Sequence, residues 1–340
     1  MRNHKLLICV VLLVSMLVFV GCSGNKETAP SGGETEKPKP VVLKLGHIVS
    51  DEDIWHKAAQ RFAELVDEKT NGTVKIELYP NSTLGNDRDM AEGMQMGSVD
   101  FALIAGVIGN FEPSFQILEL PYLIEDEEHL RKVIYGPIGE QLAANLLESS
   151  NIRALTYWER GPRQLTTNKP VNSVADVQGL KLRVAEIPPW VAAWRAIGAN
   201  PTPMAWGEVY SALEQGVVDA QENPIPYIHA NHVYEVQSHI AMTSHKFEYV
   251  TLSMSNRTYE KLTPEQQQAI YEAARESAEY QNQLVAELTD KLLDDMVNNK
   301  GITVTYPDVS EFADRAKTVH LEFAERYGMD LYEAILEAAK

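Results

Sequence analysis

Apolar positions along this chain change period again and again. Val41 to Leu45 is an apolar-rich run ending at Gly46-His47, and it predicts a strand. Trp55, Ala58, Ala59, Phe62, Leu65 and Val66 then recur at helical spacing until Gly72 stops them. Val74, Ile76 and Leu78 alternate with Lys75 and Glu77 as a half-buried strand, closed by Tyr79-Pro80-Asn81. The exchange continues through a helix around 86–96, a strand over 99–104, two helical pieces over 127–149 and a strand over 152–158. Such alternation predicts α/β lobes with mostly parallel sheets.

After Trp158 the pattern starts again. Short strands are expected over 164–167 and 180–184, a helix over Trp190–Ile197 behind Pro188-Pro189, and another over Trp206–Gln215 ahead of Gly216. A strand over 248–255 returns towards the first lobe. Thr263-Pro264-Glu265-Gln266 is a helix start, with a capping threonine, proline at the first position and glutamine at the third. The helical pattern then reaches Asn299 without an interior glycine or proline, long enough to span roughly 50 Å. Gly301 ends it, and a strand over 302–305 and a terminal helix over 310–327 follow. The expected fold is α/β, a clamshell of two lobes joined by crossing strands and one long helix. Lobe I is assigned 41–160 plus about 249–288, and lobe II 161–248 plus about 289–330.

The amino end points to export. Arg2 and Lys5 precede an apolar run, Leu6 to Val20, shorter than the roughly twenty residues of a membrane span and suited to a signal-peptide core. Gly21-Cys22 resembles a bacterial lipobox, so 1–21 is read as a signal peptide and Cys22 as the lipidated residue. Residues 22–40, rich in Gly, Ser, Thr, Glu, Lys and Pro, read as a flexible tether. The expected location is extracytoplasmic, anchored to the cell membrane only through lipid, on an outer surface or a periplasmic face. The chain has two cysteines, Cys9 in the leader and Cys22 at the anchor, which leaves no thiol for a disulfide, a zinc site or a nucleophile.

The formal charge of −18 deepens further when Arg2 and Lys5 leave. No basic stripe is available for phosphates, so nucleic acid is excluded as a partner. Capture of an anion has to be local, by arginines held in a cleft. Arg163 and Arg183 stand among glycines and prolines, and a guanidinium grips a carboxylate through two parallel hydrogen bonds. These residues suit a small organic acid.

A family resemblance rests on six motifs in order. They are Leu78-Tyr79-Pro80-Asn81-Ser82-Thr83-Leu84-Gly85, Gly161-Pro162-Arg163-Gln164, Gly179-Leu180-Lys181-Leu182-Arg183-Val184, the run Gly198 to Met204, Glu208-Val209-Tyr210-Ser211-Ala212-Leu213 and Gln221-Glu222-Asn223-Pro224. From about residue 42 to 330 the chain resembles the DctP-type solute-binding proteins of TRAP transporters, tripartite ATP-independent uptake systems for organic acids. The resemblance implies a periplasmic-binding-protein fold, no cofactor, a monomer, and delivery of a small organic acid to the small and large membrane subunits of a TRAP permease. It also implies that Arg183 grips the ligand carboxylate, that Arg163 assists, that Asn223 hydrogen-bonds the same end and that Trp206 packs over the ligand. Arg160 competes with Arg163 for the second arginine's place.

Glu186 lies where sialic acid-binding relatives line the cleft; a carboxylate there would repel a second acid group and accept from sugar hydroxyls. That favours one carboxylate with several hydroxyls, a uronate such as glucuronate or a hexonate, over a C4-dicarboxylate. By the same alignment Asp87, His47 and His245 fall near the cleft, Asp87 either capping the following helix or accepting a hydroxyl. Ile48 and Ala105 stand where sialic acid binders present polar groups, which argues against sialic acid. An exported enzyme is the alternative of another class, but no Gly-x-Ser-x-Gly, His-Glu-x-x-His or catalytic cysteine is present, and His229 and His232 lack a third metal ligand. A receptor serving a sensor protein would keep the same clamshell.

Overall fold

The computed structural model describes residues 39–340. The leader at 1–21, Cys22 and nearly all of the tether to residue 40 lie outside the described residues. Among the described residues ten strands run in chain order: β1 (Val41–Gly46), β2 (Val74–Tyr79), β3 (Phe101–Ile104), β4 (Ile152–Thr167), β5 (Lys181–Val184), β6 (Asn200–Pro203), β7 (Ala220–Pro224), β8 (His239–Ala241), β9 (Phe247–Ser255) and β10 (Thr303–Thr305). They make one mixed sheet in the order β2-β1-β3-β9-β4-β7-β5-β6, with β8 also on β4 and β10 on β8. The outer pairs β1/β2, β1/β3, β5/β6, β5/β7 and β8/β10 are parallel, as expected of strands joined through helices. The pairs around the centre, β3/β9, β4/β9, β4/β7 and β4/β8, are antiparallel.

One expectation needs correction. The strands read separately over 152–158 and 164–167 are a single strand of 16 residues, β4. Its first part pairs with β9 and its last residues pair with β7 and β8, so β4 runs through both halves of the sheet. Gly161-Pro162 reads as a break, but here it forms a β-bulge: Glu159 faces Tyr249 and Gly161 faces Glu248, which leaves Arg160 as the extra residue. Gly161 takes a φ of 81°, a conformation that a side chain would resist.

The long helix is Pro264–Asn299, 36 residues, opened by a capping box between Thr263 and Gln266. Its buried face changes core along its length. Ile270, Ala273, Ala274, Ala278 and Val285 join the apolar cluster of β1, β3, β9 and the helix Ile54–Lys69. Met296 joins a second cluster with Val209, Leu213, Ile228 and Ile240. One helix therefore ties two cores together, which makes the architecture the two-lobed α/β form. The expected helix over 310–327 is two helices, Ser310–Lys317 and His320–Tyr327, and a further one follows at Met329–Ala338. No helix among the described residues is long and apolar enough to cross a membrane.

Candidate functional site

Three neighbouring strands carry the polar residues of one cavity. β4 supplies Arg160 and Arg163, β7 supplies Asn223, and β5 supplies Arg183. The register sets Gln164 opposite Asn223 and Leu182 opposite Ala220, so the three strands deliver these side chains side by side. In β5, Leu182 and Val184 enter the apolar core and alternation sends Arg183 the other way. Arg160 and Arg163 would point to opposite faces of a regular strand; the bulge shifts the alternation and both reach the cavity. Asp87, at the start of the helix Asp87–Met96, and the aromatic residues Trp55, Trp190, Trp206 and Tyr227 complete its walls. The cavity measures about 40 Å³, and a second of about 20 Å³ adjoins it through Asp87, Arg183 and Trp206.

The three arginines are held in different ways. Arg183 donates from Nε and Nη2 to the carbonyl of Met204, at 3.0 and 2.6 Å, and its guanidinium lies 5.4 Å from the Trp206 ring. Among the described residues no carboxylate pairs with it directly, and burial lowers its pKa to about 10. Both Nη1 protons and one on Nη2 remain, a free fork for an acid. Arg163 is tied down. It donates from Nε and Nη2 to the Glu222 carboxylate, from Nη2 to the Glu222 carbonyl at 2.6 Å, and from Nη1 to Glu248 at 2.8 Å. Burial alone would lower its pKa, but Glu222 and Glu248 raise it, so the group is permanently charged with one donor free. Arg160 is nearly bare: only 4% exposed, it lies 4.3 Å from the Trp55 ring and 4.9 Å from that of Tyr227, with Glu248 at 3.8 Å and no partner for Nε.

A buried charge network stands behind them. Burial pushes Glu222 upward, but Arg163 and His245 bring its pKa down to about 2. Lys246 bridges Glu248 at 2.9 Å and Glu119 at 3.3 Å. Burial raises Glu119 to about 7, against Lys246. Burial likewise raises Asp87 to about 6, although Arg160 and Arg183 oppose it, and its Oδ1 has no hydrogen-bond partner. The site is thus a strongly cationic cavity with one acid on its wall. A larger groove of about 740 Å³, between the helix Pro137–Ser150, β4 and the helix Pro264–Asn299, gathers none of these residues. The chemistry, not the volume, locates the site.

Residues 45–326 match the model of the bacterial extracellular solute-binding proteins, family 7. The chain belongs to this family. It is a DctP-type solute-binding protein of the TRAP class, a binding protein and not an enzyme. It is 37% identical to a solute-binding protein of Roseobacter denitrificans, over 82% of this chain and 85% of that one. A solved structure from the same organism, with bound L-galactonate, superposes with a TM-score of 0.83 at 33% identity, covering 89% of this chain and 99% of the other. The 2,3-diketo-L-gulonate-binding periplasmic protein of Escherichia coli is 36% identical over 80% of this chain and 83% of its own. A solute-binding protein from Shewanella oneidensis, with bound succinate, gives a TM-score of 0.84 at 27% identity, over 88% of this chain and 100% of the other.

Of the residues singled out in this solute-binding protein's sequence, Arg183, Arg163, Asn223, Trp206 and Asp87 come together on the cavity. Asp87 does not cap its helix; Asn86 does, in a capping box with Asp89. Glu186 is exposed and, of the two adjoining cavities, borders only the smaller, its carbonyl accepting from Asn110 at 3.0 Å. His47 and His245 do not line the cavity. Buried His47 faces His56 across 3.1 Å, and burial lowers its pKa to about 3. His245 sits between Thr243 and Glu222, packed against Trp194. Arg160, set against Arg163 as an alternative, stands beside it, and the signal was Gly161, whose φ allows the bulge. Trp55 reads as part of a helix's buried face and Tyr227 carries no signal of its own, so nothing in their spacing marks them as walls of a site.

Proposed function

We propose that this protein captures a sugar-acid monocarboxylate, a uronate such as glucuronate or a hexonate, outside the cytoplasm and delivers it to the small and large membrane subunits of a TRAP permease. The observation that carries this reading is Arg183, a guanidinium 4% exposed with a free fork and no acid of the described residues in direct contact. A buried charge without a partner is costly, and a ligand carboxylate completes it. In this reading Arg163 adds its last donor, Asn223 bonds the same end, and Trp206 covers the ligand carbons. Asp87 accepts from a hydroxyl, and Glu186 opposes a second acid group at the outer margin. His47 and His245 support the walls from behind, His245 by holding Glu222.

The galactonate bound by the Roseobacter denitrificans protein supports a hydroxylated acid, and the succinate of the Shewanella oneidensis protein supports a dicarboxylate as the second reading. An acidic wall residue beside the arginines favours the first, because a second carboxylate would meet Asp87. Lobe I is proposed to be 41–160 plus about 249–288, lobe II 161–248 plus about 289–330, with Cys22 as the lipid anchor and the protein a monomer. The test is a thermal-shift and calorimetric screen of the purified protein against glucuronate, galactonate, succinate and sialic acid. Shifts confined to the sugar acids are expected. A shift with succinate alone would reverse the choice of ligand while keeping the family role.

A further inference from the structure

Arg160 is the one arginine of the cavity that no hydrogen bond within the described residues accounts for. Its guanidinium is 4% exposed, its Nε is unpartnered, and its closest carboxylate oxygen, on Glu248, is 3.8 Å away and already accepts from Arg163 at 2.8 Å. Trp55 and Tyr227 grip it by their rings at 4.3 and 4.9 Å, and Tyr227 packs edge-on against Trp206 at 4.5 Å, the ring beside Arg183. An aromatic rail therefore holds Arg160 on the cavity without using its donors and runs on to Arg183, which Met204 anchors through only two of its own. Asp87 lines the same cavity, and its Oδ1 is buried without a partner. A set of free donors and a free acceptor thus share one small space. Leaving either unpaired costs free energy, and a group that both donates and accepts relieves both costs.

We infer that Arg160 and Asp87 pin one ligand hydroxyl between them, Arg160 donating to its oxygen and Asp87 accepting its proton, so that the site selects a hydroxy acid over the corresponding keto acid. This rests on the sugar-acid reading and adds to it. A keto oxygen satisfies Arg160 but offers Asp87 no proton, and its lone pairs face those of the carboxylate. A site built to hydrogen-bond a hydroxyl rejects an analogue lacking it strongly, because its own buried groups are then left unpaired. Since Asp87 and Arg183 together line both of the adjoining cavities, the hydroxyl in question is borne by the carbons nearest the carboxylate held by Arg183.

The experiment is titration calorimetry at neutral pH with D-gluconate and D-galactonate, each beside its 2-keto counterpart. It uses the wild-type protein, Arg160→Met and Asp87→Asn, with melting curves to confirm folding. The wild type is expected to bind the hydroxy acid at least tenfold more tightly than its keto partner. Arg160→Met should weaken the hydroxy acid by more than thirtyfold. Asp87→Asn keeps the size but brings an amide that can donate to a keto oxygen, so it should shrink the preference to less than threefold; it also decides the matter if Arg160→Met does not fold. A wild-type preference for the keto acid, or a preference unchanged in a folded variant, would overturn the inference and leave the sugar-acid reading standing. Binding of neither member alongside tight binding of succinate would overturn both.

Discussion

Arg183 is the residue on which binding turns, because it is held buried with no acid of the described residues in contact. Its anchorage to the Met204 carbonyl leaves the outer edge of the guanidinium open. Removing it deprives a ligand carboxylate of its partner in a space closed to water, a loss of about 3–5 kcal/mol by analogy with broken buried pairs. Arg183→Ala should therefore bind at least a hundredfold more weakly in calorimetry while melting no lower than the wild type, since an uncompensated charge also leaves. Unchanged affinity would remove Arg183 from the site. Asp53 permits a second test at this scale. Its Oδ1 caps the helix Ile54–Lys69 through Trp55 N at 2.9 Å, its Oδ2 has no partner, and burial raises its pKa to about 6. A carboxyl whose pKa is raised by folding favours the native state below its ordinary pKa near 3.8, and that advantage disappears as pH climbs to about 6. Asp53→Asn keeps the cap, so its melting temperature relative to the wild type should rise between pH 4 and about 6 and level off above. A difference independent of pH would show that Asp53 is solvated.

At the scale of elements, β4 decides the geometry of the site. Alternation within a strand separates Arg160 from Arg163; the bulge at Gly161 reunites them, and the φ of 81° there suits glycine. Gly161→Ala should cost about 1–2 kcal/mol of stability and weaken ligand binding severalfold by turning Arg160 away, measured by melting and calorimetry on the same preparation. Loss of stability with full affinity would separate the bulge from the site. The same glycine marks where reading from residues stopped short. The helices over 54–69 and 264–299 and the strand β2 were legible because their apolar periods and caps are local signals. β4 was not, since Gly161-Pro162 looks like a break in the strand unless β9 is present to pair across it. Arg183, Arg163 and Asn223 were legible through motif spacing, whereas Trp55 and Tyr227 became walls of the site only through the approach of a helix far downstream, Ile225–Ala230, to the helix Ile54–Lys69. Glu186 lies between these cases: its position after Arg183 suggested the cleft, and it stands exposed at the margin, on the smaller cavity that it shares with Asp87 and Arg183.

For the molecule as a whole, burial of the site requires motion. Arg160 and Arg183 are each 4% exposed and Arg163 2%, so no solute reaches them unless the walls part. Those walls come from both proposed lobes: Trp55, Asp87 and Ala105 from lobe I, Arg183, Trp206 and Asn223 from lobe II. Opening breaks no backbone pairing of the outer strands if it is taken up along β4, which pairs with β9 at one end and with β7 and β8 at the other, and along the helix Pro264–Asn299, which packs in both cores. A bound acid adds contacts to both sides at once, and such differential contact is what shifts a population towards the closed form. Without ligand, the closed cavity keeps unpaired donors on Arg160 and Arg183, a cost that works against closure until an acid is bound. Small-angle X-ray scattering should therefore show the radius of gyration falling when a saturating sugar acid is added to the wild type. Arg183→Ala should show no contraction at the same concentration, while Asp87→Asn should contract once enough ligand is supplied to fill it. If the unliganded protein already scatters as compactly as the liganded one, closure precedes binding, and the rate of ligand entry would then be set by spontaneous opening and would not rise with ligand concentration.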